Sequence, residues 1–383
     1  MSVTVISPNN TERAINPARL TEAREAKGLT MAELARVLEI SRQAISSFEK
    51  GIKNPSPDTL TLIARVLGFP ERFFISASGS PEIEGAVHFR SRNTTTKKER
   101  VSGRAKGRWV PLVLRECSRF VQLPEVNLPD IDIADFENLE ESDIEDIATQ
   151  VRRFWQLGDG PITNLTRLLE NQGIVVSNLF SGDKVDAFSF WDNERPIIIT
   201  DNSKTAVRIR FSLAHELGHL IMHRSVSDDY LEDKDLFDKV EHQADYFAGC
   251  FLLPAKTFGS EYYSPNLSAL ETLKSRWIVS LGCMTHRAYY LNLMSENQKS
   301  YVFRQLAPFR RREPLDDVIP KEEPQFIHKL INLLDENSII LKTDLVDIFG
   351  LPPKELAAIT RVKESELISD ESVVSIFMNH RRA

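Results

Sequence analysis

The stretch 211-FSLAHELGHLIMH-223 sets three histidines and a glutamate into what otherwise reads as an apolar helix. His215 and His219 are four residues apart, so their imidazoles share one helix face, one turn from each other, and can converge on a single ion. Glu216 is one step round the helix. From there it stands beside the ion as general base for a water, the H-E-x-x-H arrangement of zinc hydrolases. His223 extends the row. At ~1.5 Å of rise per residue, however, it lies ~12 Å from His215 along a straight helix, too far to share an ion with ~2 Å bonds. The other familiar spacing needs a histidine at 225, where the chain has Ser225.

A third ligand must come from elsewhere, and 239-KVEHQADYFAGCFLLPA-255 offers one. Glu241 and Asp245 are four apart on a second helix, so Glu241 can bind the ion while Asp245 hydrogen-bonds the remaining ring nitrogen of a histidine ligand. His242, one residue round the helix, is the alternative ligand. Three protein ligands and an open fourth position make the donor set of a catalytic Zn2+. Upstream, "GIVVSNL", "AFSFWDN" and "RPIIIT" are β-rich runs, two of them separated by the turn-like "DNE". A small sheet should therefore lead into a helix that begins near Thr205, an α+β pattern.

At 383 residues the chain exceeds what one core usually organises, so two or three domains are expected. No ~20-residue apolar run could cross a bilayer. The N-terminus lacks the basic-then-apolar order of a signal peptide. A cytoplasmic protein without a membrane partner is expected. Cys117, Cys250 and Cys283 are far apart and form no C-x-x-C, which argues against a disulfide framework or a thiolate metal site. The net charge of −7 hides a blocky distribution, basic from Arg90 to Arg108 and acidic, without Lys or Arg, from Pro124 to Ala148. There is no Gly-rich phosphate loop and no nucleophile elbow, which removes kinases, nucleotide-dependent dehydrogenases and serine hydrolases.

From Asn16 the chain breaks into short amphipathic helices. Thr30 with Glu33 is a capping box, Gly28 and Gly51 sit where helices should stop, and Ser56-Pro57 starts another. Leu20, Leu34, Ala35, Leu38, Ile45, Phe48, Leu60, Ile63 and Leu67 supply an all-helical core. Thr30 to Glu39 and Ser41 to Lys50, joined through Ile40 and Ser41, have the shape of a helix-turn-helix.

Two resemblances follow from these motifs. Over roughly residues 16 to 75, with its pattern visible in 29-LTMAELARVLEISRQAISSFEKGIKNPSPDTLTLIARVLG-68, the chain resembles the xenobiotic-response-element (XRE) family of DNA-binding domains. That resemblance implies that the third helix enters the major groove of double-stranded operator DNA, with Ser41, Arg42, Gln43 and Ser46 over the bases and Ser47 and Lys53 near phosphates. Arg42 can pair bidentately with guanine and Gln43 with adenine. Reading two half-sites implies a homodimer. The chain departs from the family at Met31, where a phosphate-contacting glutamine is usual. Second, "RIRFSLAHELGHLIMH" followed by "VEHQADYFAGCFLLPA" resembles the ImmA/IrrE metallopeptidase family, from Ile144 to Tyr290. This implies a gluzincin-like zinc endopeptidase that cuts a helix-turn-helix repressor or antitoxin and so releases gene expression, with catalytic Glu216, ligands His215, His219 and Glu241, and Asp245 behind a ligand.

The expected fold is α+β and mostly helical. A helix-turn-helix domain should occupy 1–78, a linker with the basic and acidic runs 79–143, a zincin-like domain of a small sheet plus helices 144–290, and a helical region 291–383. The leading functional expectation is a DNA-binding regulator that also hydrolyses a peptide bond. The alternatives are a transcription factor whose metal domain senses a ligand or stress without proteolysis, and an interaction protein that has lost both activities.

Overall fold

Five short helices open the chain in a computed structural model that describes residues 14–76, 84–90, 97–133, 135–180, 185–227, 233–309 and 312–368. They are α1 (Pro17–Ala26), α2 (Met31–Val37), α3 (Arg42–Glu49), α4 (Pro57–Leu67) and α5 (Glu71–Ile75). The starts of α1 to α4 are fixed by side-chain caps that satisfy otherwise orphaned backbone N–H groups. The Thr30 hydroxyl accepts from Glu33 N at 3.2 Å while Glu33 accepts from Thr30 N at 2.7 Å. Ser41 accepts from Ala44 N at 3.1 Å, and Ser56 from Thr59 N at 3.2 Å. Between α2 and α3 the chain reverses through Glu39, whose φ of 54° is left-handed.

The stretch expected to be a linker is largely built into the fold. It contains β1 (Glu84–Arg90), α6 (Lys97–Gly107) and α7 (Trp109–Cys117). Helix α7 buries Trp109, Val110, Val113, Leu114 and Cys117 in the same core as α1 to α5. Trp109 Nε1 donates to the buried Glu22 at 2.6 Å, and Ser102 Oγ donates to Ala26 O at 2.8 Å. The charges of 90–108 mask the helical apolar period that follows them in "WVPLVLREC", and burial of that face outweighs the local polarity.

Helices α8 (Glu141–Phe154) and α9 (Leu165–Asn171) precede the strands β2 (Val175–Phe180), β3 (Ala187–Asp192) and β4 (Arg195–Asp201). The sheet order is β1-β3-β4-β2. Strand β3 is antiparallel to β1 and β4, and β2 is parallel to β4. Because side chains alternate along a strand, the sheet becomes a shared wall. Val175, Phe188, Phe190, Ile197 and Ile199 face the first core, whereas Val176 and Ile198 face a second one. Apolarity on both faces explains the unbroken run "PIIIT".

The second core is built on α10 (Ala206–Met222) and α11 (Lys234–Leu252), with α12 (Ala255–Glu261), α13 (Leu267–Trp277), α14 (Leu281–Tyr290) and α15 (Glu296–Leu306) behind them. The last helices, α16 (Phe326–Glu336), α17 (Leu345–Phe349) and α18 (Pro353–Thr360), return to the first core. The polar segment between α15 and α16 is tied down on buried cations. Glu313 and Asp316 accept from Lys274 at 2.9 and 2.7 Å, and Glu322 pairs with Arg210 on α10. Both cations are almost fully buried, so these carboxylates are needed where water is excluded. Among the described residues no helix is long and apolar enough to cross a membrane.

Candidate metal centre

Helix α10 begins where the sheet ends, with Thr205 at its N-cap. The strand β3 packs across it and α11 lies against its other side. Gly218 allows the two helices to approach. A Cβ there would lie 3.0 Å from the Phe247 ring and 3.4 Å from Ala244 Cα, both on α11. That closeness brings Glu241 to the histidine face of α10. Its carboxylate oxygens lie 3.6 Å from His215 Nε2 and 3.2 Å from His219 Nε2. Among the described residues, His215, His219 and Glu241 form a group whose ligand atoms all lie within 4.8 Å of one another.

The hydrogen bonds behind these side chains fix which nitrogen carries the proton. A carboxylate can only accept, so Asp245 Oδ1, 2.8 Å from His215 Nδ1, places the hydrogen on Nδ1 and leaves Nε2 as an acceptor. For His219 the chain is longer. Gln243 Nε2 donates to Phe136 O at 2.7 Å, which turns Gln243 Oε1 toward His223 Nε2 at 2.8 Å. Burial pushes the His223 pKa down to about 4, so the ring is neutral near pH 7. Its hydrogen is on Nε2, and its Nδ1 accepts from His219 Nδ1 at 2.9 Å. His219 is thereby left, like His215, with an acceptor Nε2.

The two Nε2 atoms stand 2.9 Å apart beside a carboxylate. Two nitrogens on one tetrahedral zinc, each bonded at ~2.1 Å, would stand ~3.4 Å apart. Facing lone pairs and a carboxylate in a buried pocket repel one another unless a cation lies between them. The donor set, two imidazoles and a carboxylate, therefore fits Zn2+. His223 is not brought to this point; it orients His219 from behind. His242 is half-exposed and faces Glu141 at 3.7 Å, away from the group.

Glu216 is fully buried next to His215. Ser189 Oγ, on β3, donates to Glu216 Oε2 at 2.6 Å. Sequence spacing does not single out Ser189, Gln243 or Phe136. The signal for Ser189 is a lone hydroxyl within the apolar alternation of "AFSFW"; for Gln243 it is an amide on the buried face of α11. A cavity of about 490 Å3 opens on the other side of Asp245, bordered by Phe211, His242, Tyr246, His286 and Tyr290. It does not touch His215, His219 or Glu241.

At the other end of the chain, Ser41, Arg42, Gln43 and Lys53 are exposed, and Ser46 and Ser47 are half-buried. The opposite face of α3 holds Ile45 and Phe48 in the core. Met31 packs against that core, which accounts for an apolar side chain at its position.

The fold and these two sites define a helix-turn-helix protein that also carries a metallopeptidase-like domain. A helix-turn-helix family model matches residues 20–74, and the model of the IrrE N-terminal-like domain matches residues 169–289. The chain thus has the fused architecture of an XRE-type helix-turn-helix domain and an ImmA/IrrE-type domain. The first match supports DNA binding. His215, Glu216, His219, Glu241 and Asp245 all fall within the second. No curated protein matches the chain.

Proposed function

We propose that this chain is a cytoplasmic DNA-binding transcriptional regulator whose central domain is a zinc-dependent endopeptidase. His215, His219 and Glu241 hold Zn2+, and Glu216 is the catalytic base. The observation that carries this reading is the convergence of the three ligand atoms within 4.8 Å beside Glu216. When bound, zinc would polarise the scissile carbonyl and lower the pKa of a water to about neutrality. Glu216 takes the proton from the attacking water and returns it to the leaving amine. Ser189 fixes the orientation of that carboxylate. Asp245 and the His223–Gln243 chain hold the two imidazoles with their acceptor nitrogens toward the ion.

The reading assigns DNA binding to 1–78 and hydrolysis to 144–290, with 79–143 and 291–383 packing the two together. Ser41, Arg42, Gln43 and Ser46 read bases, Ser47 and Lys53 meet phosphates, and a homodimer covers two half-sites. The substrate is a protein, a helix-turn-helix repressor or antitoxin whose cleavage releases gene expression. The test is Glu216→Gln, which preserves size but cannot take a proton. Zinc content should stay at the wild-type value by mass spectrometry, while cleavage of a co-expressed repressor stops. If the variant still regulates its target genes as wild type does, the metal domain senses a ligand or stress and does not signal by hydrolysis.

A further inference from the structure

The sheet edge beside Glu216 is already occupied. Strand β3 has β4 on one side and β1 on the other, with β1 outermost. His88 stands opposite Ser189, Phe89 opposite Phe188 and Arg90 opposite Ala187. Ser189 is the residue whose hydroxyl holds Glu216, so the backbone of β1 runs one strand away from the base. It also runs alongside α10, the helix that carries His215 and Glu216. β1 lies outside residues 169–289, so this strand is added to the matched unit from a distant part of the chain. Its register is irregular between Glu84 and His88.

A free strand edge recruits extended peptide through backbone hydrogen bonds, largely independent of sequence. Without β1, the edge of β3 would be such a site, at the side of the catalytic carboxylate. We propose that β1 occupies, in cis, the position in which an extended segment of a protein substrate pairs with β3, and that substrate enters by displacing β1. This rests on the peptidase reading above. A trans segment binds only to the fraction of molecules whose β1 has left the edge, so its apparent affinity is reduced by that fraction.

The experiment uses the full chain in a Glu216→Gln background and a fluorescein-labelled peptide with the sequence of residues 84–90, followed by fluorescence anisotropy. His88→Pro, opposite Ser189 in the register, removes a backbone donor that faces β3 and weakens the pairing. It should bind the peptide at least ~10-fold more tightly than the parent. A disulfide between Arg90→Cys and Ala187→Cys, which stand opposite each other, locks β1 in place. The oxidised lock should bind at least ~10-fold more weakly, with the parent's affinity restored by reductant. Equal binding by locked and reduced forms overturns the proposal. So does a folded His88→Pro variant that binds no more tightly than the parent. Should His88→Pro fail to fold, the lock alone decides. None of these measurements needs hydrolysis, so a failed peptidase reading leaves them interpretable. Conversely, the expected binding pattern with no cleavage by the Glu216 form would count against the peptidase alone.

Discussion

Helix α3 and the pair α10–α11 hold their working side chains in opposite ways. On α3, Ser41, Arg42 and Gln43 point to solvent while Ile45 and Phe48 do the packing from the other face. On α10 the division disappears, since the proposed ligands His215 and His219 and the proposed base Glu216 are also 0, 1 and 0% exposed. A buried polar group must be hydrogen-bonded, so each of these residues needs a companion: Asp245, Ser189, and the chain through His223 to Gln243. The surface proposed to face DNA needs no such support. Function should therefore separate from stability in the first region and remain entangled with it in the second.

The largest effect should come from breaking the entangled region. His219→Ala removes a proposed ligand and also leaves His223 Nδ1 without its donor in a water-excluded site. Purified wild-type protein should hold about one zinc per chain, and the variant almost none, with a lower unfolding midpoint. Full zinc content in His219→Ala breaks the metal assignment. The next largest effect belongs to the exposed region. Arg42→Ala combined with Gln43→Ala removes the two proposed bidentate base contacts at ~1–3 kcal/mol each, so specific DNA binding should weaken by roughly 30-fold to 2×10⁴-fold. Stability should move by less than ~0.5 kcal/mol, because neither residue is buried. A gel-shift series and a urea melt on the same sample give both numbers. A large stability loss would erase the contrast between the two regions.

Much of both regions is legible in the sequence itself, and the reason lies in period. The four-residue spacings of His215 with His219 and Glu241 with Asp245 are local and survive folding unchanged, as do the caps at Thr30, Ser41 and Ser56. What linear spacing does not reveal is set by distant contacts. Gln243 depends on Phe136, a carbonyl 107 residues away, and Ser189 reaches Glu216 only because β3 crosses α10. The packing of α7 and α16 to α18 into the helix-turn-helix core is likewise hidden, since it depends on which apolar faces find one another.

A smaller effect sharpens the claim that the buried region depends on companions. Gln243→Ala leaves all three ligands intact but frees the His223 ring from the Phe136–Gln243 chain, so the His219 tautomer is no longer imposed. Zinc affinity, measured by competition with a chelator, should fall by roughly 10 to 100-fold. Gly218→Ala tests the same region by packing alone. The Phe247 ring must give by a few tenths of an ångström, and the expected cost is about 1–3 kcal/mol, with zinc affinity falling alongside stability. Unchanged affinity in both variants would make the site as independent of its surroundings as the face of α3.

The smallest expected effect returns to the exposed region. Glu39 holds a φ of 54° in the turn between α2 and α3, a conformation that costs a side chain with a Cβ about 1–2 kcal/mol. Glycine adopts it without strain, but it also releases about 0.5–1 kcal/mol more backbone entropy in the unfolded chain. The difference leaves Glu39→Gly more stable by at most ~1.5 kcal/mol, visible as a small rise in the urea midpoint. Glu39 is exposed, and its side chain adds nothing to the core. DNA affinity should therefore be unchanged, since Arg42 and Gln43 keep their places on a helix whose start is fixed by Ser41. If affinity falls while stability rises, the strained turn sets the angle of α3, and the exposed region too depends on residues away from its working face.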